Sequence, residues 1–366
     1  MKIKISQPLL AKGLQIVQRG ISSKTTLPIL TGVLLEAKGD MLKLTGTDLE
    51  LGIETFVNCE ILEEGAIVLT ANLFSEIVRK LPSSIIDIEV GPNSKVSIKC
   101  EYSEFNIIGQ PAAEYPKLPY VDKDRSITLA KDLLKNMIKQ TVFAAATDEI
   151  RPILTGTLLE VEGSSANFVA LDGYRLAFRK VMIDQAQEIK VVIPSKTLNE
   201  INKILEDDEE NITIYFTNNH ILFNMNDTII TSRLLEGQFF NYKDIIRNEY
   251  TTKLKVQTKA LQSSIERASL LAREGKTNLI KLEIENDRIT IKSNSDIGDV
   301  HEEIPVEMEG NDITIAFNSK YVLDGLKAVD CEEIYMHFVS NVNPCIIHPI
   351  NDEHYTYLIV PVRIPD

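Results

Sequence analysis

The sequence is short of the features that mark most catalytic and ligand-binding chemistries. Its four cysteines, Cys59, Cys100, Cys331 and Cys345, lie far apart without C-x-x-C spacing, which predicts buried free thiols rather than disulfides or a zinc site. No apolar run reaches the roughly 18 residues that cross a bilayer. The opening MKIKISQPLLAKG has no apolar segment leading to a small-residue cleavage site, so a cytoplasmic protein without membrane contact is expected. There is no G-x-x-x-x-G-K-[ST] loop, no G-x-G-x-x-G after a strand and no H-E-x-x-H, since His301-Glu302-Glu303 lacks the second histidine. His348 and His354 flank a turn without a third ligand and read as a solvated hairpin. The acids form no recognisable acid/base pair, and Glu206–Glu210 reads as an exposed loop. An enzyme is not expected, nor a metal or cofactor. Positive charge is scarce too: 39 Lys and Arg stand against 53 Asp and Glu, a net charge of −14. That sum alone argues against a nucleic-acid partner, because binding phosphates requires cations that displace counterions.

What the sequence does contain is a repeat. Pro28–Glu36 reads PILTGVLLE and Pro152–Glu160 reads PILTGTLLE, eight of nine positions identical at an offset of 124. The same step carries Asp48 to Asp172 and then to Asp296. Three times a strand-like run turns into helical spacing, from Ala66, from Val191 and from Ile313, with Asn72, Ser195 or Asn318 at the change as candidate caps. Each unit also opens with an earlier helix, carried by Leu10, Leu14 and Val17, by Leu133, Leu134, Met137 and Ile138, and by Leu261, Ile265 and Ala268. Alternating segments such as Met41–Leu44, Lys95–Lys99, Asn211–Phe216, Arg288–Ile291 and Tyr355–Val360 read as strands. Glu114–Pro119 and Gly237–Tyr242 read as linkers. The predicted class is α+β: three similar domains, 1–120, 121–245 and 246–366, each with two helices packed on antiparallel sheets.

Charge is sorted by element. Helix windows 8–20, 71–82, 129–141, 195–205, 258–270 and 318–329 hold thirteen Lys and Arg but five Asp and Glu, leaving +8 on the helices and −22 elsewhere. The bases are Lys12, Arg19, Arg79, Lys80, Lys131, Lys135, Lys139, Lys196, Lys203, Lys259, Arg267, Lys320 and Lys327. Glu is as good a helix former as Lys, so propensity does not explain the bias. A helical surface facing polyphosphate, contacting backbone without reading bases, does. Repeated units with such a face can close into a ring through a heterologous interface.

The motifs TTLPILTG from Thr25, TGTDLE from Thr45, LDGYRLA from Leu171, SRLLEG from Ser232, FNSKYVLD from Phe317 and LIVPVR over Leu358–Arg363 resemble, in order and across all three units, the bacterial DNA polymerase III beta subunit family. The resemblance implies a non-catalytic, head-to-tail homodimeric sliding clamp on double-stranded DNA, loaded by an ATP-driven clamp loader. It implies one shared groove for the replicative polymerase, the loader and repair proteins. By that resemblance the groove residues are Leu154, Leu171, Gly173, Tyr174, Arg175, Leu176, Phe240, Ile245, Asn318, Tyr321, Val342, Pro344, Leu358, Ile359, Val360, Pro361, Val362, Arg363 and Ile364. Phe240 and Asp244 stand where the family pattern has Pro and Arg, and Lys276 where it has an aromatic residue. Lys24 and Lys196 match family DNA-contact positions, whereas Asn72 and Asp148 do not. With the helix bases they give a DNA set of Lys12, Arg19, Lys24, Arg79, Lys80, Lys135, Lys139, Lys196 and Lys203. Phe105 and Ile107 are implied to meet Leu270 and Leu271 at the subunit interface. Arg175→Ala, or removal of Leu358–Asp366, is expected to weaken peptide binding without unfolding. The rival reading is an acidic protein-binding scaffold that does not encircle DNA.

Overall fold

The structure is a computed structural model that describes residues 1–22, 24–184, 188–206, 208, 210–246, 249–274 and 278–363. The first third of the chain forms β1 (Lys2–Ser6), α1 (Gln7–Val17), β2 (Gly32–Lys38), β3 (Met41–Thr47), β4 (Leu51–Asn58), β5 (Glu60–Glu63), β6 (Gly65–Thr70), α2 (Ala71–Lys80), β7 (Ile85–Val90), β8 (Lys95–Cys100) and β9 (Ser103–Ile108). The middle third forms β10 (Ser126–Ala130), α3 (Lys131–Thr141), β11 (Gly156–Glu162), β12 (Ser165–Leu171), β13 (Arg175–Met182), β14 (Ile189–Pro194), α4 (Ser195–Ile204), β15 (Asn211–Phe216), β16 (His220–Asn224) and β17 (Thr228–Arg233). The last third forms β18 (Thr252–Gln257), α5 (Thr258–Glu274), β19 (Leu279–Glu285), β20 (Arg288–Ser295), β21 (Gly298–Pro305), β22 (Glu307–Gly310), β23 (Ile313–Asn318), α6 (Ser319–Lys327), β24 (Glu333–Phe338), β25 (Cys345–Pro349) and β26 (Tyr355–Ile359). The class is the expected α+β, and each third carries two α-helices among antiparallel strands.

The repeat holds at the level of atoms. Pro28–Thr31 and Pro152–Thr155 both form a 3-10 turn, in which Thr31 Oγ1 donates to the Pro28 carbonyl at 2.8 Å and Thr155 Oγ1 to that of Pro152 at 2.7 Å. The glycine that follows is dictated by close approach. A Cβ on Gly32 would lie 2.4 Å from a Val68 methyl, and one on Gly156 2.5 Å from a Val192 methyl. Asp48 Oδ1 accepts from the backbone N–H of Leu51 at 2.8 Å, and Asp172 Oδ1 from those of Tyr174 and Arg175 at 2.8 and 3.0 Å, so both turns are tied the same way.

Strand pairing crosses the repeat boundaries. An eight-stranded sheet runs β10-β15-β16-β17-β4-β3-β2-β6, joining the repeats through Ile230 opposite Ile53, while β5-β1-β7-β8-β9 makes a five-stranded one. A nine-stranded sheet runs β14-β11-β12-β13-β26-β25-β24-β18-β22, joined through Leu176 opposite Leu358, and β21-β20-β19-β23 makes the fourth. These ladders divide the chain into two compact units, Met1–Lys131 with Lys203–Leu234, and Asp132–Asn202 with the chain from Leu235 on. We call them the first and second unit.

Each helix buries one stripe. On α2 the buried residues are Ala71, Phe74, Ile77 and Val78, and on α5 they include Leu261, Ile265, Ala268 and Ala272, at helical spacing. Full burial of one such Phe or Ile is worth roughly 1.5–3 kcal/mol, so these stripes, not propensity, hold the helices. Only one expected cap is made: Asn318 Oδ1 accepts from the Lys320 N–H at 3.0 Å. Helix α2 begins at Ala71, so Asn72 is already inside it, and the Ser195 hydroxyl pairs with that of Thr157 at 3.0 Å instead. Asn318→Ala is expected to cost about 1 kcal/mol, read as a lower melting temperature, against little change for Asn72→Ala.

The two expected linkers are in fact packed. The Tyr115 hydroxyl, pushed up to about 12 by burial, donates toward the Gly32 and Thr45 carbonyls at 3.3 and 3.4 Å. Phe239 and Tyr242 belong to the buried core of the second unit. Aromatic side chains in a connector fill a sheet face that would otherwise be wet.

On β24, the His337 ring stacks on Tyr250 at 4.6 Å and lies 5.4 Å from the His348 ring. Burial first, then the nearby His348 and Lys253, lowers His337 to about 4; burial also lowers His348. A base lowered in the fold takes up its proton more readily when unfolded. The stability it contributes is therefore complete above its ordinary value of 6.5 and lost as pH falls from there toward 4. Melting followed from pH 7 to pH 4.5 should fall less steeply in His337→Tyr than in the unaltered chain.

Candidate peptide groove and cationic helices

The groove residues implied by sequence fall into two classes, both within the second unit. Leu154, Leu171, Leu176 and Leu358 lie in one buried cluster with Val169, Phe239, Tyr242 and Ile346. Ile359, opposite Arg175 in the ladder, is buried as well. They form a floor rather than a contact surface. Above it stand exposed apolar side chains: Tyr174 at 61%, Val342 at 59%, and Val360 and Val362. Backbone bonds fix the tail beside this rim, Val360 N–H donating to the Tyr174 carbonyl and Val362 N–H to that of Ala316, both at 2.8 Å. Pro344 and Pro361 are half-buried, and Arg363 is exposed. Phe240 and Ile245 are exposed on the connector. Ile364 and Lys276 lie outside the described residues.

Arg175 is not a rim residue. It is 7% exposed, and its Nε donates to Asp172 at 3.0 Å, Nη1 to Asp324 at 2.6 Å and Nη2 to the Phe143 carbonyl at 2.8 Å. Its guanidinium lies 4.6 Å from the centre of the Tyr321 ring, which stacks on Tyr174 at 6.2 Å. Burial opposes its charge, but Tyr357 and the two aspartates outweigh that and hold the guanidinium above its usual value. Arg175 therefore bolts the 172–175 turn to α6, whose first turn Asn318 caps. The expectation that Arg175→Ala leaves the fold intact is corrected by this burial. So is the expectation for removal of Leu358–Asp366, because Leu358 and Ile359 belong to β26, a strand paired on both sides. Gly173, φ +95°, is the residue the turn requires, and a side chain there would meet nothing within 4 Å.

Asp172, Asp324 and Phe143, which fix Arg175, are not in the sequence-derived set. Asp172 stands in the LDGYRLA motif and recurs at the 124-residue step, and Asp324 closes the FNSKYVLD motif, but nothing in either motif marks them as partners of Arg175.

On the first unit, α1 and α2 pack side by side, and Lys12, Gln15, Gln18 and Arg79 line one furrow between them. Lys24, Lys80, Lys196 and Lys203 are exposed, Arg19 and Lys135 half-buried. Several bases are already paired: Lys12 with Glu206 at 2.7 Å, Lys139 with Asp330 at 2.6 Å and Arg267 with Glu302 at 2.6 Å. Lys131 is buried between Asp208 and Glu210, at 3.0 and 2.8 Å, so it is a structural cation rather than part of a phosphate-facing set. Asp208 and Glu210, which follow α4 in the chain, account for it.

Phe105 and Ile107 lie on β9, the edge of the five-stranded sheet, opposite the buried Ile98 and Val96. The apolar row of the core thus continues to an uncovered edge. Leu270, 63% exposed, and Leu271 stand on α5. Among the described residues no cluster of three or more His, Cys, Asp or Glu could hold a metal, and no helix is long and apolar enough to cross a membrane.

Three family models match the chain: DNA polymerase III beta subunit, N-terminal domain, over residues 1–119; central domain, over 128–241; and C-terminal domain, over 243–363. The beta sliding clamp of Bacillus subtilis is 41% identical over 99% of this chain and all of its own length. The crystal structure of the DNA polymerase sliding clamp from Bacillus subtilis superposes with a TM-score of 0.96 over the whole of both chains. A putative DNA polymerase III beta subunit from Eubacterium rectale, 38% identical, gives 0.95 over 99% of each. A Pseudomonas aeruginosa sliding clamp bound to griselimycin, 28% identical, also gives 0.95 over both whole chains. Matched along all three thirds, this chain belongs to the DNA polymerase III beta subunit family, the beta sliding clamps.

Proposed function

We propose that this chain, through three domains spanning 1–120, 121–245 and 246–366, encircles double-stranded DNA as a head-to-tail dimer. It tethers the replicative polymerase, and at other times the clamp loader and repair proteins, in the cytoplasm. The observation that carries this is the sorting of charge: bases gathered on six helices of an acidic protein of sliding-clamp ancestry, which a scaffold indifferent to DNA does not need. Lys12, Arg19, Lys24, Arg79, Lys80, Lys135, Lys139, Lys196 and Lys203 form the DNA-facing set. Partial pairing of Lys12 and Lys139 suits a surface over which a polyanion glides rather than sticks, since each fixed phosphate contact adds counterion release and salt dependence. The subunit contact sets Phe105 and Ile107 on the β9 edge against Leu270 and Leu271 of a second copy. An unpaired strand edge with an apolar row is a template for association.

Clients bind by short hydrophobic peptides over the rim of Tyr174, Val342, Val360 and Val362, above the Leu154–Leu171–Leu176–Leu358 floor. Exposed aromatic anchors beside a dry floor are where binding energy concentrates. Tyr174→Ala is expected to weaken such a peptide about tenfold without lowering the melting temperature. Stopping the chain after Val362 should also weaken it while sparing β26. Titration of a fluorescent client peptide, alongside thermal melting, checks both, and unchanged affinity in both variants would refute the groove.

A further inference from the structure

The 124-residue repeat sets a tyrosine in the second unit where the first has a leucine. In the second unit, Tyr242 lies on the face of the sheet, 4% exposed, stacked on Phe178 at 5.7 Å, its hydroxyl donating to Glu160 at 2.6 Å. Glu160 is buried, and Lys190 and Lys243 neutralise it at 3.1 and 3.2 Å. Subtracting 124 gives Leu118 for Tyr242, Tyr115 for Phe239 and Glu36 for Glu160. Tyr115 does occupy the core as Phe239 does. Leu118 lies against Gly52, where any Cβ would come within 2.4 Å of its methyl, on the wall of the same sheet face, and it has no hydroxyl with which to reach Glu36.

What remains in the first unit is an open depression of about 490 Å³ on the sheet face. Its floor is apolar or hydroxylic, with Leu34, Leu222 and Ile229 in it, and its polar end holds Glu36, Lys43 and Glu54. The Glu36 side chain is 39% exposed where its counterpart Glu160 is 5%. Lys43 pairs with both carboxylates, at 2.6 and 3.3 Å, and Lys117 and Lys123 also line the depression, so its charge is not negative; four carboxylate oxygens nevertheless keep acceptor capacity that one bound ammonium does not fill. The volume is that of ordinary ligand sites. A flat apolar floor ending in an under-supplied carboxylate pair calls for an aromatic ring with a hydrogen-bond donor at its tip.

We propose that this depression receives a tyrosine side chain from a partner polypeptide, its ring over Leu34 and Leu222 and its hydroxyl donating to Glu36 or Glu54. The second unit supplies the template for that geometry with its own Tyr242. This site is separate from the proposed groove, and neither depends on the other.

The test uses the full chain and a labelled synthetic peptide copying residues 236–246, the segment that fills the equivalent place. Anisotropy titration to about 1 mM should show saturable binding, a range that weak single-anchor contacts occupy. Replacing the peptide tyrosine by phenylalanine removes one hydrogen bond to a charged acceptor and should weaken binding about tenfold. Glu36→Gln in the chain should weaken it to a similar degree. Absence of saturable binding overturns the proposal, as does an affinity indifferent to both the Tyr→Phe peptide and Glu36→Gln. Because the peptide substitution leaves the protein unaltered, a folding defect in the variant cannot mask the result.

Discussion

Arg175→Ala lowers the unfolding free energy by about 3–5 kcal/mol, the cost of removing one partner from a buried ion pair. Three acceptors lose their donor at once: Asp172, Asp324 and the Phe143 carbonyl. Asp172 is itself largely buried, 12% exposed at its side chain, so water replaces the lost bonds poorly. The aromatic contact with Tyr321 goes with them. Arg175→Lys should recover less than half, because an ammonium cannot span two carboxylates and a carbonyl as a planar guanidinium does. Denaturation followed by circular dichroism measures both. A loss under about 1 kcal/mol would mean that the bolt between the turn and α6 does not exist. Peptide binding will also fall in Arg175→Ala, and the comparison with Tyr174→Ala separates loss of the scaffold from loss of a contact.

Gly325→Ala is the second large effect, and its sign is set by two opposed terms. Alanine in a helix interior is normally favoured over glycine by about 1 kcal/mol. Gly325 sits inside α6 against Tyr357, however, and a Cβ there would fall 2.1 and 2.2 Å from two ring carbons. The ring cannot withdraw: Tyr357 is fully buried, its hydroxyl donates to the Tyr321 carbonyl at 2.8 Å, and it lies 5.4 Å from the Phe143 ring. Overpacking of this kind costs roughly 1–3 kcal/mol, sometimes more. With two overlaps onto a rigid ring the upper end applies, and the net expectation is a loss of about 2 kcal/mol after the propensity gain. Because the displaced ring supports Tyr321, rim geometry should shift too. A melting temperature raised by Gly325→Ala would show that Tyr357 has room to move.

Much of this fold was legible in the sequence, for identifiable reasons. PILTG repeats because a 3-10 turn must end on a glycine that lies against a neighbouring strand's valine. The second helix of each repeat falls where apolar spacing changes from two to three or four, the first where apolar residues recur at helical spacing, and α5 runs to Glu274, four residues past its window. The compact units were not legible. They depend on β17 pairing with β4 and β13 with β26, and main-chain ladders leave no mark in side-chain pattern. Caps were over-read because a helix that follows directly on a sheet strand takes its entry geometry from the ladder, as at Thr70 opposite Gly32. The candidate site was half legible. Exposed Tyr174 and Val360 were identified from motifs, whereas the burial of Arg175 arises from partners 149 and 32 residues away. Lys131 was misread for the same reason, since its carboxylates are 77 and 79 residues distant.

The central claim is that the assembled protein is linked to DNA by topology rather than by strength of contact. It is tested by placing the protein on closed circular duplex with a clamp loader and ATP, washing at raised salt, then cutting the circle once. The account predicts retention on the closed circle through the wash and release on cutting. Equal retention on circular and linear duplex, or release of both by moderate salt, would contradict it.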